Sequence, residues 1–163
     1  MDDLFSPAGD SWQRISPRLA TIRRILIAIP VALTLLIGAA LVLLIGGARW
    51  VGVLVMLLAL AAGLWAWAWA GRNQRSWGYA ENDDDLLVTS GVMFKRLVAI
   101  PYGRMQFVDV QAGPLARAYG IATVTLHTAS AETAADIPGL PAAEATRLRN
   151  RLTELGEAHG AGL

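Results

Sequence analysis

At 163 residues, the chain has room for one ordinary domain, or for a small domain attached to membrane spans. Its residues are 55% hydrophobic and only 17% charged, below the charged share of typical soluble domains, so the charge deficit must be localised. The net charge is only +1, and the absence of cysteine excludes a disulfide framework or thiolate metal ligation.

Residues 1–24 read as a cytoplasmic amino-terminal tail carrying Arg14, Arg18, Arg23 and Arg24. From Ile25 to Ala70 the only charged residue is Arg49. "ILIAIPVALTLLIGAALVLLI" (Ile25 to Ile45) and "WVGVLVMLLALAAGLWAWAWA" (Trp50 to Ala70) are uncharged stretches of 21 residues each. As helices they would be about 31 Å long, the thickness of a bilayer's hydrocarbon core. Residues 25–70 are therefore expected to form a transmembrane hairpin turning at "GGAR". Pro30 is expected in the first turns of its helix, where a missing N–H costs least. Ala28 with Ala32, Ala59 with Gly63 and Ala62 with Ala66 offer small faces for close helix approach. Neither span holds an Asp, Glu, Lys or His, so a proton relay or ion path has no support.

Arginines flank the hairpin in the tail and again at Arg72 and Arg75, against Arg49 alone in the loop, so the positive-inside rule puts both termini in the cytoplasm. "GLWAWAWAGRNQRSWGY" (Gly63 to Tyr79) alternates tryptophan like a strand. On a helix, Trp65 and Trp69 lie near one face and Trp67 nearly opposite, because two steps turn the side chain by about 200°. The expected interface anchors are Arg23, Arg24, Trp50, Trp65, Trp67, Trp69, Arg72 and Arg75.

After a linker at 71–75 the pattern changes. Residues 76–158 are expected to form a mostly β domain closed by a helix, with 159–163 as a tail. Trp77 and Tyr79 begin a strand, "NDDD" is a turn, and "LLVTSG" and "VMFKRLVAIP" are two strands joined at Ser90-Gly91. "RMQFVDVQA" alternates with neither face assignable as inner, "GPLARAYG" is a turn or short helical piece, and "IATVTLHT" is a β-branched strand. A weaker strand from Thr133 to Ile137 is expected to end at a Pro138-Gly139 turn. From Pro141 to about Ala158, Leu148, Leu152 and Leu155 make one helical face that should cover the strands.

The segments "LLVTSGVMFKRLVAIPYGRMQFVDVQAGPLARAYGIATVTLHTAS" and "IPGLPAAEATRLRNRL" resemble the YdbS-like family of bacterial membrane proteins. The specific parts are the Ser90-Gly91 turn, "IPYGRMQ", "GPLARAYG" and "HTAS", and the likeness runs from about Pro17 to Leu155. Met105 stands where the family often has Ile, a volume-preserving change. The resemblance implies two spans followed by a cytoplasmic pleckstrin-homology-like (PH-like) domain, a β-barrel or sandwich closed by a carboxyl-terminal helix.

Arg104, Gln106 and Arg117 are polar groups within otherwise structural motifs. They either satisfy backbone carbonyls and nearby carboxylates or form an interaction edge. His127 lies in a strand and His159 in a Gly-rich tail, without metal-site spacing, and Asp83 to Asp85 lack the EF-hand spacing. No catalytic residue, cofactor or metal is expected. The domain from Ser76 onward has seven basic and ten acidic residues, a poor balance for nucleic acid. The expected function is a membrane-anchored interaction module, docking a protein partner or a sister subunit at the inner face of the cell membrane. Sensing of an anionic lipid headgroup is the alternative, by fold analogy with phosphoinositide-binding domains.

Overall fold

A computed structural model describes residues 12–44, 47, 49–128 and 134–160. The "GGAR" turn apart from Gly47 and Arg49, the end of "HTAS", Thr133 and the last three residues lie outside the described residues. Ala20–Arg72 form one compact unit; the described residues up to Leu19 and from Asn73 onward form the other.

The first unit is the hairpin. α1 (Arg18–Leu44) and α2 (Arg49–Arg75) each have 27 residues and are long and apolar enough to cross a membrane. Both exceed the uncharged stretches, because Arg is a good helix former and extends a helix past the apolar boundary. Residues 71–75, expected as a linker, thus continue α2. For the same reason Pro30 lies inside α1 rather than in its first turns. Thr34 Oγ1 donates to Pro30 O at 2.8 Å, a back-bond to the preceding turn of the kind that bends helices.

The helices pack tightly at a glycine pair that the small-residue spacing does not single out. A Cβ on Gly52 would lie 2.7 Å from Gly38 O, and one on Gly38 would lie 2.6 Å from Met56 Cγ. At the far end of α2, Trp65 and Trp69 stack with ring centroids 5.8 Å apart, as helical geometry requires. Arg24 Cζ lies 5.1 Å from the centre of the Trp67 ring, a cation–π contact between two of the expected anchors.

The second unit is a two-sheet sandwich. β1 (Gln13–Arg14), β2 (Gly78–Glu81), β3 (Asp85–Ser90) and β4 (Arg96–Pro101) form one antiparallel sheet in that order. β5 (Met105–Gln111), β6 (Ile121–Thr128) and β7 (Ala135–Pro141) form the second. Among the described residues no pairing joins them, so of the two expected forms, barrel or sandwich, the sandwich fits. A 3₁₀ turn, Tyr102–Arg104, links β4 to β5; α3 (Pro114–Ala118) links β5 to β6; α4 (Ala142–Gly160) follows β7.

The core is one cluster. Leu86, Val88 and Ile100 from one sheet meet Val124, Leu126, Ile137 and Leu140 from the other, with Leu148 and Leu152 of α4 closing the side. Leu155 packs against it partly buried, so the leucine face read from the sequence is the buried one. Two details depart from expectation. Pro138-Gly139 is not a turn: β7 runs through it, and the β6–β7 register shifts there. Gly139 takes φ +73, the left-handed conformation of a bulge glycine. The amino-terminal segment is also part of this unit: β1 pairs with β2, Ile15 is buried, and Ser16 N–H donates to Gly139 O at 2.9 Å.

Candidate functional site

Among the described residues β5 pairs with β6 alone and so is an edge strand of its sheet. The register slips between Met105 and Phe107, which makes Gln106 a bulge. The slip resolves the alternation that sequence left open. Met105 packs on the core before the bulge, and Val108 and Val110 pack on it afterwards, while Phe107 is turned outward.

Phe107 is 57% exposed and stacks on His127 of β6, with centroids 4.1 Å apart and planes inclined by 14°. His127 thus serves as a cross-strand aromatic partner. Next along the strand, Gln111 Nε2 donates to Asp109 Oδ2 at 2.8 Å. Between β5 and α4 runs a groove of about 190 Å³, walled by Met105 to Val108 on one side and by Leu152, Thr153, Gly156 and Glu157 on the other. An exposed edge offers alternate backbone N–H and C=O groups to a further strand, and the groove beside it offers space for side chains.

The expected edge residues are divided by this geometry. Arg104 ends the 3₁₀ turn just before β5 and is exposed, and exposed Gln106 lines the groove. Arg117 is exposed on α3, beyond the opposite end of β5. Six residue steps of strand, roughly 20 Å, separate the two ends. Phe107 was not singled out because the alternation alone left both faces of this strand unassigned.

The supports of the edge are polar contacts elsewhere in the same unit. Tyr102 is fully buried, donates from its hydroxyl to Asn82 O at 2.8 Å and from its N–H to Asp84 O at 3.1 Å. Asn82 Nδ2 donates to Asp85 Oδ1 at 2.8 Å, so the "NDDD" turn fixes the strap that leads into β5. Burial, followed by the nearby Glu81 and Asp85 charges, pushes the Tyr102 phenol up to about 12. The Tyr79 hydroxyl lies 2.6 Å from Gln13 Oε1 and 2.8 Å from Glu144 Oε1, and burial is again the main cause that raises its pKa. Arg147 pairs with Glu81 and, at 2.6 Å, with Glu144. Its hydrogen bond holds the Glu144 carboxyl below the usual range. This network ties α4 to β2. Among the described residues, no group of three His, Asp or Glu side chains could hold a metal ion.

The comparisons with known proteins fit this architecture. A family model described as "Bacterial PH domain" matches residues 24–156, well over half of the chain. The chain belongs to the bacterial PH domain family. The UPF0699 transmembrane protein YdbS of Bacillus subtilis (strain 168) is 37% identical over 79 residues, 48% of either chain. That alignment spans about half the length of the curated relative it matches. No solved structure is significantly similar. In this bacterial PH domain protein the two apolar helices are membrane spans, and the sandwich with its closing helix is the PH-like part.

Proposed function

We propose that this bacterial PH domain protein is a membrane-anchored docking module, without catalytic activity, that takes an extended segment of a protein partner along β5. The observation that carries the reading is the open β5 edge, with Phe107 exposed on its outer face and the α4 groove beside it. An added strand would gain affinity from main-chain hydrogen bonds, and an apolar side chain of the partner opposite Phe107 would give selectivity. The arginines that flank the spans favour both termini, and hence the domain, on the cytoplasmic side. Of the expected edge, Arg104 and Gln106 sit where they could contact such a segment; Arg117 would need a longer partner.

The test is co-purification of the tagged full chain from its native membrane. Phe107→Asp puts an unpaired charge at the centre of the surface, and should lower recovery of a stoichiometric partner at least tenfold. Arg149→Glu, on exposed α4, should leave recovery unchanged. Equal recovery with Phe107→Asp and wild type would overturn the reading; capture of a second copy of this chain would name the partner as itself.

A further inference from the structure

The two helices of the hairpin leave an open seam between them. A groove of about 310 Å³ runs from Ile27 to Leu35 on α1 and from Trp67 back to Leu60 on α2, lined by apolar residues throughout. Ala28 and Ala32, the small pair expected to let helices approach, are exposed in this groove instead. The helices meet at its floor, where a Cβ on Gly63 would lie 3.0 Å from Val31 Cγ2, while Leu60, Leu64 and Trp67 stand exposed along one wall. In a bilayer the surrounding solvent is hydrocarbon, as apolar as leucine. An unfilled groove would forfeit the dispersion contacts of its lining, so a flexible acyl chain is its natural occupant.

Two observations select a particular lipid rather than bulk hydrocarbon or another helix. The first is length. Leu35 is the middle residue of the uncharged stretch Ile25 to Ile45, and Arg24 is the residue just before that stretch. About 16 Å of helix rise separates the two, against about 15 Å for one leaflet of the hydrocarbon core. The groove thus serves one leaflet and stops at the middle of the bilayer, where an acyl chain ends; a spanning helix of a second copy would need a face through both leaflets. The second observation is charge. Arg24 Cζ lies 5.1 Å from the centre of the Trp67 ring, at the end of the groove wall, and Arg24 Nε is buried without a hydrogen-bond partner among the described residues. An anionic oxygen would satisfy that guanidinium. Ala20–Arg72 contain no Asp or Glu, so neither this unit nor the same unit of a second copy supplies one. A phospholipid does, with its phosphate one chain length from the bilayer middle.

We propose that this groove holds one acyl chain of an anionic phospholipid, with the lipid phosphate on Arg24. The guanidinium is seated over Trp67 and lies beside Gly71, where a Cβ would be 2.9 Å from Arg24 Nη2, so the cation is already placed at the mouth. With no acidic residue in the unit to balance its arginines, a headgroup of net negative charge is favoured over a zwitterionic one. Every residue of the site belongs to the hairpin, so it stands or falls separately from partner docking on β5. Sequence did not reveal it because the spacing of Ala28 and Ala32 reads equally well as a helix contact.

The test uses the full chain in nanodiscs of phosphatidylcholine and phosphatidylglycerol in equal amounts, with retained lipids counted by native mass spectrometry. Wild type should retain one lipid per chain, phosphatidylglycerol over phosphatidylcholine by at least fivefold. Arg24→Gln should bring that ratio to within about twofold of unity. Ala32→Phe, which fills the groove without changing charge, should lower lipid retention at least fivefold. Leu33→Phe, exposed on α1 but outside the groove, should leave retention unchanged. If Arg24→Gln fails to insert, Trp67→Leu, which removes the ring under the guanidinium, should lower the ratio at least twofold. Equal retention of the two lipids by wild type, a broad lipid count with no discrete bound species, an unchanged ratio in the Arg24 or Trp67 variant, or unchanged retention in Ala32→Phe would overturn the proposal. A lipid-free wild-type dimer that Ala32→Phe abolishes would assign the groove to a second copy and overturn it as well.

Discussion

Tyr102 concentrates several demands in one side chain. It is fully buried, its hydroxyl donates to Asn82 O, and it begins the strap that delivers β5 to the edge of its sheet. Its folded pKa, about 12, lies above the ordinary 10.0, so the neutral phenol is the stabilising form. Its contribution is complete below pH 10 and is lost as pH rises towards 12. Tyr79 is shifted in the same direction and adds to the same alkaline loss. Urea-unfolding midpoints of the detergent-solubilised chain should therefore fall across that window, and Tyr102→Phe should flatten the fall without abolishing it. A midpoint independent of pH there would contradict the assignment. At this scale sequence was only partly legible. Tyr79 stood out in its strand, but nothing in "IPYGRMQ" marks Gln106 as a bulge, because a bulge depends on pairing with β6 rather than on local composition. Period-2 reading therefore left the faces of β5 open, and Phe107 was not selected.

Elements were more legible than their ends. The face of Leu148, Leu152 and Leu155 in α4 and the β-branched run of β6 were visible because periodicity and propensity act over many residues. β1 is two residues long and gains its order from pairing with β2, so no local signal marks it. β7 failed for a different reason: Pro138-Gly139 has turn chemistry, but the bulge absorbs it within the strand. Gly139 there has a positive φ, and a Cβ would lie 2.8 Å from Leu19 Cβ. Gly139→Ala should accordingly destabilise the domain by about 1–3 kcal/mol, combining left-handed strain with crowding of Leu19. Thermal unfolding followed by near-ultraviolet circular dichroism would check it; an unchanged transition would mean that the bulge is not needed.

The whole molecule joins a two-span anchor to a bacterial PH domain, and its composition alone divided the two. The proposed interaction surface was less legible, since it depends on which strand is left at an edge. The arginine counts predict that both termini are cytoplasmic, and the absence of native cysteine makes this directly measurable. In spheroplasts, a membrane-impermeant maleimide should label Arg49→Cys from outside and Thr153→Cys only after permeabilisation; the reverse pattern would invert the topology. Partner docking on β5 is the central claim. Its most direct test is a photo-crosslinking residue at position 107 of the full chain in its native membrane, with position 149 as control. The account predicts a discrete covalent adduct with another polypeptide from position 107 and none from position 149. No adduct from 107, or equal adducts from both positions, would contradict it.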